Sequence, residues 1–292
     1  MLTYNRSAQG SRGVFCAERR LEEECLIVKV GVFDSGVGGL SVLHEALAAL
    51  PEADFIYYAD EAHVPYGEKT DDELRSYVSE VMDFLVAQGV DAIVIACNTA
   101  TTVATRAYRA TLPVPVVGME PAVKRAVELF GGGRGRILVA ATPVTIAGDK
   151  LHELVGHVDP GHDVDLIALP QLVRFAEEGE FDSSAVDDYL AGAFARLDPS
   201  RYDAFVLGCT HFNYFKRSLL AQFDDSIAFV DGNEGTVRQL MRKLGAYPHE
   251  PSSTRPAVGR TVEFFSSGVP VGEEGLAHVR RCMAQLDAVA EL

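Results

Sequence analysis

The chain has 292 residues, 48% of them hydrophobic, with a mean hydropathy close to zero, which suits a soluble protein of two packed domains rather than one small core. Its 26 basic residues against 42 acidic ones leave a formal net charge of −16, which argues against nucleic acid or an anionic membrane as main partner. No stretch reaches the roughly 20 unbroken apolar residues of a membrane helix, and the N-terminal segment lacks the apolar core of a secretory signal, so a cytoplasmic address is expected.

In chain order, residues 1–26 are polar and aperiodic and read as a disordered leader. Short β-rich apolar runs then alternate with helical patterns. Strands are predicted over 27–33, 54–59, 91–96, 114–118, 136–140, 164–168, 204–208 and 227–231. Between the second and third, Leu74, Val78, Val81, Met82 and Leu85 form one helical stripe. Thr70 and Glu73 make a capping box at its start, and Gly89 stops it. Residues 272–292 read as a last helix. Strand–helix–strand units with doubly buried strands imply α/β architecture with parallel-type sheets flanked by helices.

The layout repeats. "KVGVFDSGVGGLSV" (29–42) and "RILVAATPVTIAG" (136–148) are each strand, polar turn and helix, and each precedes a cysteine turn, at Cys97 and Cys209. Two pseudo-symmetric domains facing one another are expected, with an active site in the cleft between them. The expected division is 27–120 plus 236–292 for the first domain and 121–235 for the second.

Ligands of open α/β sheets bind beyond the carboxyl ends of strands. Four turns fall there: Asp34-Ser35-Gly36, Cys97-Asn98-Thr99, Thr142-Pro143-Val144 and Cys209-Thr210-His211. "DSGVGG" (34–39) is neither GxGxxG nor a P-loop, so a nucleotide is disfavoured; its N–H groups suit a carboxylate. The chain's five cysteines, Cys16, Cys25, Cys97, Cys209 and Cys282, are scattered with no CxxC. Neither a disulfide framework nor a metal site is expected. One cysteine at a strand end is ordinarily a small buried hydrophobe; two in matching turns ask for more. A helix N-terminus would lower the pKa of each thiol.

A cysteine hydrolase needs one nucleophile and has no use for a second equivalent thiol. A redox dithiol needs its sulfurs close enough to bond. Inverting a stereocentre needs one group to take a proton from one face and another to return one to the opposite face, which matches one thiol per domain. With no lysine site for an aldehyde cofactor, hydrogen-bond donors around a carboxylate must carry the developing charge. A thiol sensor or binding domain on the same fold is the alternative.

At these residues the chain resembles the glutamate racemases of the aspartate/glutamate racemase family, cofactor-independent two-cysteine enzymes that supply D-glutamate to peptidoglycan. The likeness rests on "GVFDSGVGGLSV" (31–42), "VPYGEKT" (64–70), "ACNTATT" (96–102), "LVRFAEEGE" (172–180) and "GCTH" (208–211), in that order. The resemblance implies that Cys97 acts on D-glutamate and Cys209 on L-glutamate. Asp34 would assist Cys97; His211 would assist Cys209, with Glu177 behind it and Glu178 the adjacent carboxylate. Asp34, Ser35, Tyr66, Gly67, Asn98, Thr99, Thr142, Thr210 and His211 would hold the substrate, with no cofactor and no metal, in a homodimer. Another acidic amino acid such as aspartate is the rival substrate. After His211 the chain reads Phe212-Asn213, where the family more often has an aromatic followed by proline.

Overall fold

The computed structural model describes residues 2–3, 28–119, 122–133, 135–159, 161, 163–223, 227–246 and 260–292. Most of the expected leader, and the 120/121 division between the expected domains, lie outside the described residues. The strands are β1 (Leu2–Thr3), β2 (Lys29–Asp34), β3 (Asp54–Ala59), β4 (Ala92–Ile95), β5 (Val116–Gly118), β6 (Arg136–Ala141), β7 (Val164–Ala168), β8 (Tyr202–Leu207), β9 (Ala228–Val230), β10 (Thr261–Ser266) and β11 (Val269–Pro270).

They form two sheets. The first runs β1-β10-β3-β2-β4-β5, with β11 paired to β10, and its four central pairings are parallel. The second runs β7-β6-β8-β9, all parallel. The segments β3-β2-β4-β5 and β7-β6-β8-β9 share one winding. In each, the first strand in sequence has the second on one side and the third on the other. That reversal opens a crevice at the carboxyl ends of β2 and β4, and again at those of β6 and β8.

Side chains of the central strands alternate between two cores. Val30 and Val32 of β2 pack with Leu40, Leu43 and Leu47 of the helix Leu40–Ala49, while Phe33 packs with the helix Asp71–Ala87. The five stripe residues of that second helix are all buried, and its Thr70–Glu73 capping box is present. Burying each such side chain contributes about 1.5–3 kcal/mol, against about 1 kcal/mol for a cap, so packing decides where this helix lies. Gly89 follows it at φ +69°, a left-handed conformation that ends helices and that glycine adopts without strain.

The largest core cluster does not respect the division into sheets. It runs from Val37 and Leu40 through Tyr214, Phe212 and Leu172 to Phe205 of β8, and takes in Cys282 and Met283 of the helix Glu273–Val289. The two halves are therefore joined by apolar packing at the floor of their cleft.

Strand β10 is absent from the sequence reading, although "TVEFF" is β-branched and aromatic. It pairs in parallel with β3 from far along the chain, and local periodicity carries no information about such a partner.

Candidate active site

Every one of the four turns lies where a parallel strand ends. Cys97 is the N-cap of the helix Asn98–Val103, and its Sγ accepts the Ala100 N–H at 3.4 Å. Thr142 caps the helix Pro143–Ala147 in the same way through Thr145. Cys209 precedes the 3-10 helix Thr210–Phe215 and makes no such cap. Ser35, Tyr66, Gly67, Cys97, Asn98, Thr99, Thr142, Cys209, Thr210 and His211 line one cavity of about 20 Å³. That is room for about one water. A ligand much larger than a water does not fit the cavity in this state.

Closure is held by contacts from one half to the other. Asp34 Oδ2 accepts from the Thr210 hydroxyl at 3.0 Å, the Thr99 and Thr142 hydroxyls meet at 3.2 Å, and Arg174 pairs with Glu68 at 2.6 Å at the half-exposed rim. Tyr66 donates to the buried Asp60 at 2.6 Å, which fixes its ring in the wall.

Around Cys209 the groups form a relay. His211 Nδ1 lies 3.6 Å from Cys209 Sγ, and its Nε2 lies 2.5 Å from Glu177 Oε1. Glu177 Oε1 also accepts the Val37 N–H at 3.0 Å, so a backbone dipole of the first half steadies this carboxylate. Glu178, next along the helix Pro170–Glu178, is exposed. Burial alone lowers a histidine, yet the bonds to Cys209 and Glu177 outweigh it and hold His211 well above its ordinary value.

Around Cys97 the environment differs. Burial raises its thiol, the negative charge of Asp34 raises it further, and the Ala100 N–H opposes both without prevailing. The lowered pKa expected from a helix N-terminus is thus overturned at Cys97. The following helix has six residues only, and desolvation by burial outweighs its dipole. Asp34 is fully buried; desolvation lifts it to about 6, although His211, the Gly36 N–H and the Thr210 hydroxyl pull the other way. Cys97 Sγ lies 3.9 Å from the Ser35 hydroxyl.

Asp34 and Glu177 stand behind the wall and reach the cavity through Thr210 and His211. Asp34 acts on Cys97 by charge, while its hydrogen bonds go to Ser35, Gly36 and Thr210. The sequence reading missed two tyrosines that pin the glycine-rich turn. Tyr57 donates to the Gly36 carbonyl at 2.6 Å and Tyr214 to the Val37 carbonyl at 2.7 Å. It also missed Pro65, Glu68, Pro170 and Val173 in the wall, and named Pro143 only as part of a turn. "VPYGEKT" carried a signal for the first two; nothing local marked the tyrosines.

At Gly36 a Cβ would overlap the Glu177 carboxylate. Gly36→Ala is expected to displace Glu177 from both Val37 and His211, and so to lower the His211 pKa towards its ordinary value. Titration of the imidazole by NMR checks this, with Glu177→Gln as the matching variant; an unmoved titration in both would refute the coupling.

Residues 33–240 match the Asp/Glu/Hydantoin racemase family. The chain is 46% identical over 270 residues to a glutamate racemase of Campylobacter curvus (strain 525.92), covering 91% of this chain and 100% of that protein. Among solved structures it superimposes on glutamate racemase of Campylobacter jejuni subsp. jejuni with a TM-score of 0.70 at 30% identity, over 89% of this chain and 98% of that one. The Escherichia coli glutamate racemase solved with L-glutamate and the activator UDP-MurNAc-ala gives 0.72 at 28% identity, over 84% and 100%.

Proposed function

The chain belongs to the Asp/Glu/Hydantoin racemase family, and on that premise we propose that it interconverts L- and D-glutamate by a two-base, cofactor-independent proton transfer. One observation carries the reading. Two buried thiols, each at the end of the corresponding strand of its sheet, line one cavity, and their surroundings differ in charge.

Starting from L-glutamate, the Cys209 thiolate takes the Cα hydrogen as a proton, and the C–H electron pair moves into the α-carboxylate. Cys97, kept protonated by burial and by Asp34, gives its proton to the opposite face of Cα. The products are D-glutamate, a Cys209 thiol and a Cys97 thiolate; the reverse reaction exchanges the roles. A protonated His211, 3.6 Å from Cys209 Sγ, supports that thiolate, with Glu177 balancing its charge. Hydroxyl groups of Ser35, Thr99, Thr142 and Thr210 surround the site and suit the carboxylates. Hydrogen bonds aimed at a carboxylate gaining charge, in a site closed to water, act most strongly in the transition state.

On the same reading the two sheets are two domains, 27–120 with 236–292 and 121–235, that part and close around the substrate. Strand β10 in the first sheet and the packing of the helix Asn233–Ala246 on Leu40–Ala49 support grouping the C-terminal segment with the first domain, although the 235/236 boundary falls inside that helix. Resemblance alone supports a cytoplasmic homodimer supplying D-glutamate to peptidoglycan. Among the described residues no helix is long and apolar enough to cross a membrane.

The deciding experiment follows the Cα proton of L- and D-glutamate and of aspartate in D2O, with purified protein and no added cofactor. Deuterium wash-in with racemisation of glutamate is expected. Faster turnover of aspartate would reassign the substrate, and no exchange with either would favour a binding protein.

A further inference from the structure

The two cysteine turns are not held alike. Cys97 is tied to its helix through its own sulfur, whereas the turn after Cys209 has no side-chain cap. Its 3-10 helix, with poorer internal hydrogen bonding than an α-helix, is held by side-chain donors, Gln285 and Ser41 from outside it and Asn213 from within. Gln285 Nε2 donates to the Tyr214 carbonyl at 3.0 Å. At the other end the Thr210 carbonyl accepts from Asn213 Nδ2 at 3.1 Å and from Ser41 Oγ at 3.4 Å. Asn213 and Ser41 are each 3% exposed, so these donors meet little competition from water.

We propose that Asn213, with Ser41, is a positioning residue for proton transfer at Cys209, acting through the Thr210 carbonyl. The inference rests on the racemase reading above. In a trans peptide the C=O and the following N–H point to opposite sides. Holding the Thr210 carbonyl against Ser41 and Asn213 turns the His211 N–H away from them. Ser41 and Asn213 face a separate cavity of about 490 Å³ behind the turn, while Cys209, Thr210 and His211 face the reaction cavity. A clamp on the Thr210 carbonyl therefore bears on the backbone that carries the His211 ring beside Cys209 Sγ. The Thr210 hydroxyl, bonded to Asp34, is fixed by the same clamp. In this chain the clamp uses the amide of Asn213, and an ionised carboxylate in its place would have no proton to donate. This gives the Phe212-Asn213 departure of the sequence a task.

The test compares the full-length chain with Asn213→Ala, Asn213→Asp, Ser41→Ala and the Ser41→Ala/Asn213→Ala double variant. Racemisation rates and primary deuterium isotope effects are measured with L- and D-[2-2H]glutamate, alongside thermal melts. Asn213→Ala and Asn213→Asp are expected to lower kcat about 10-fold, the scale of one buried hydrogen bond. The isotope effect from L-glutamate should rise and that from D-glutamate fall, because the Cys209 step becomes more rate-limiting. The double variant should lose more than the product of the single losses, since both donors serve one acceptor. If Asn213→Ala does not fold, Ser41→Ala carries the test with the same isotope pattern at smaller amplitude. Unchanged rates and isotope effects overturn the proposal. So does a lower kcat with both isotope effects unmoved, which marks lost folded protein. A wild-type chain that neither racemises nor exchanges glutamate overturns the racemase reading first, and this proposal with it.

Discussion

Serine in place of either Cys97 or Cys209 is expected to stop racemisation, with a loss of about 10²–10⁴-fold, the usual scale for removing one acid/base group. The substitution is close to isosteric, and serine is a preferred N-cap. At position 97 it can still accept the Ala100 N–H that Cys97 Sγ accepts at 3.4 Å, so the helix Asn98–Val103 should keep its start. What is lost is a thiol, a far stronger acid than the alcohol that replaces it. The remaining cysteine identifies its face. Cys97→Ser should still wash deuterium into L-glutamate through Cys209, without inversion, and do little to D-glutamate; Cys209→Ser should do the converse. Proton NMR of the Cα signal in D2O separates exchange from racemisation. Wild-type racemisation by either variant would eliminate the two-base mechanism.

Asp34→Asn should make the protein more stable and less active. Asp34 is fully buried and desolvation lifts it from 3.8 to about 6. Between those values the unfolded chain has lost this proton and the folded chain still holds it. Stability therefore falls as pH rises from about 4 to about 6, and the penalty is complete above that window. The shift corresponds to an upper limit of about 3 kcal/mol. Weaker hydrogen bonds from the Gly36 N–H and the Thr210 hydroxyl to a neutral amide offset part of it. The variant should gain about 1–3 kcal/mol at pH 7.5 and nothing near pH 3.5, read by urea denaturation at both values. Turnover should drop about 10-fold or more, because Asp34 no longer raises Cys97 by its charge and no longer makes a charged bond to Thr210. A variant less stable than wild type at pH 7.5 would show that Asp34 is kept for folding rather than for the reaction.

Local pattern was enough for much of the architecture. The stripe from Leu74 to Leu85, the Thr70–Glu73 capping box and the last helix were all legible because they are repeated over three or four residues of chain. The parallel-sheet class followed from strands buried on both faces. The candidate site was legible to the same depth. A cysteine at each of two matching strand ends is a local fact, and the sheet rule places strand ends where ligands bind. Ten of the anticipated site residues line one cavity for that reason.

Tertiary structure alone decided the rest. Whether Glu177 or Glu178 reaches His211 depends on which face of one helix meets the 3-10 helix of the same half, 34 residues along the chain. Asp34 bonds Thr210 across 176 residues, and Tyr214 holds the Val37 carbonyl across 177. The sequence also misjudged the thiol at Cys97, because a helix N-terminus is a local feature whereas desolvation is a property of everything packed around it. By itself, then, the sequence determined which residues stand at the ends of strands and which faces of helices are apolar, since periodicity and turn chemistry act over a few residues. The folded molecule decided which of those residues touch and how each is charged. Contact and dielectric are set by groups distant in sequence that packing brings together.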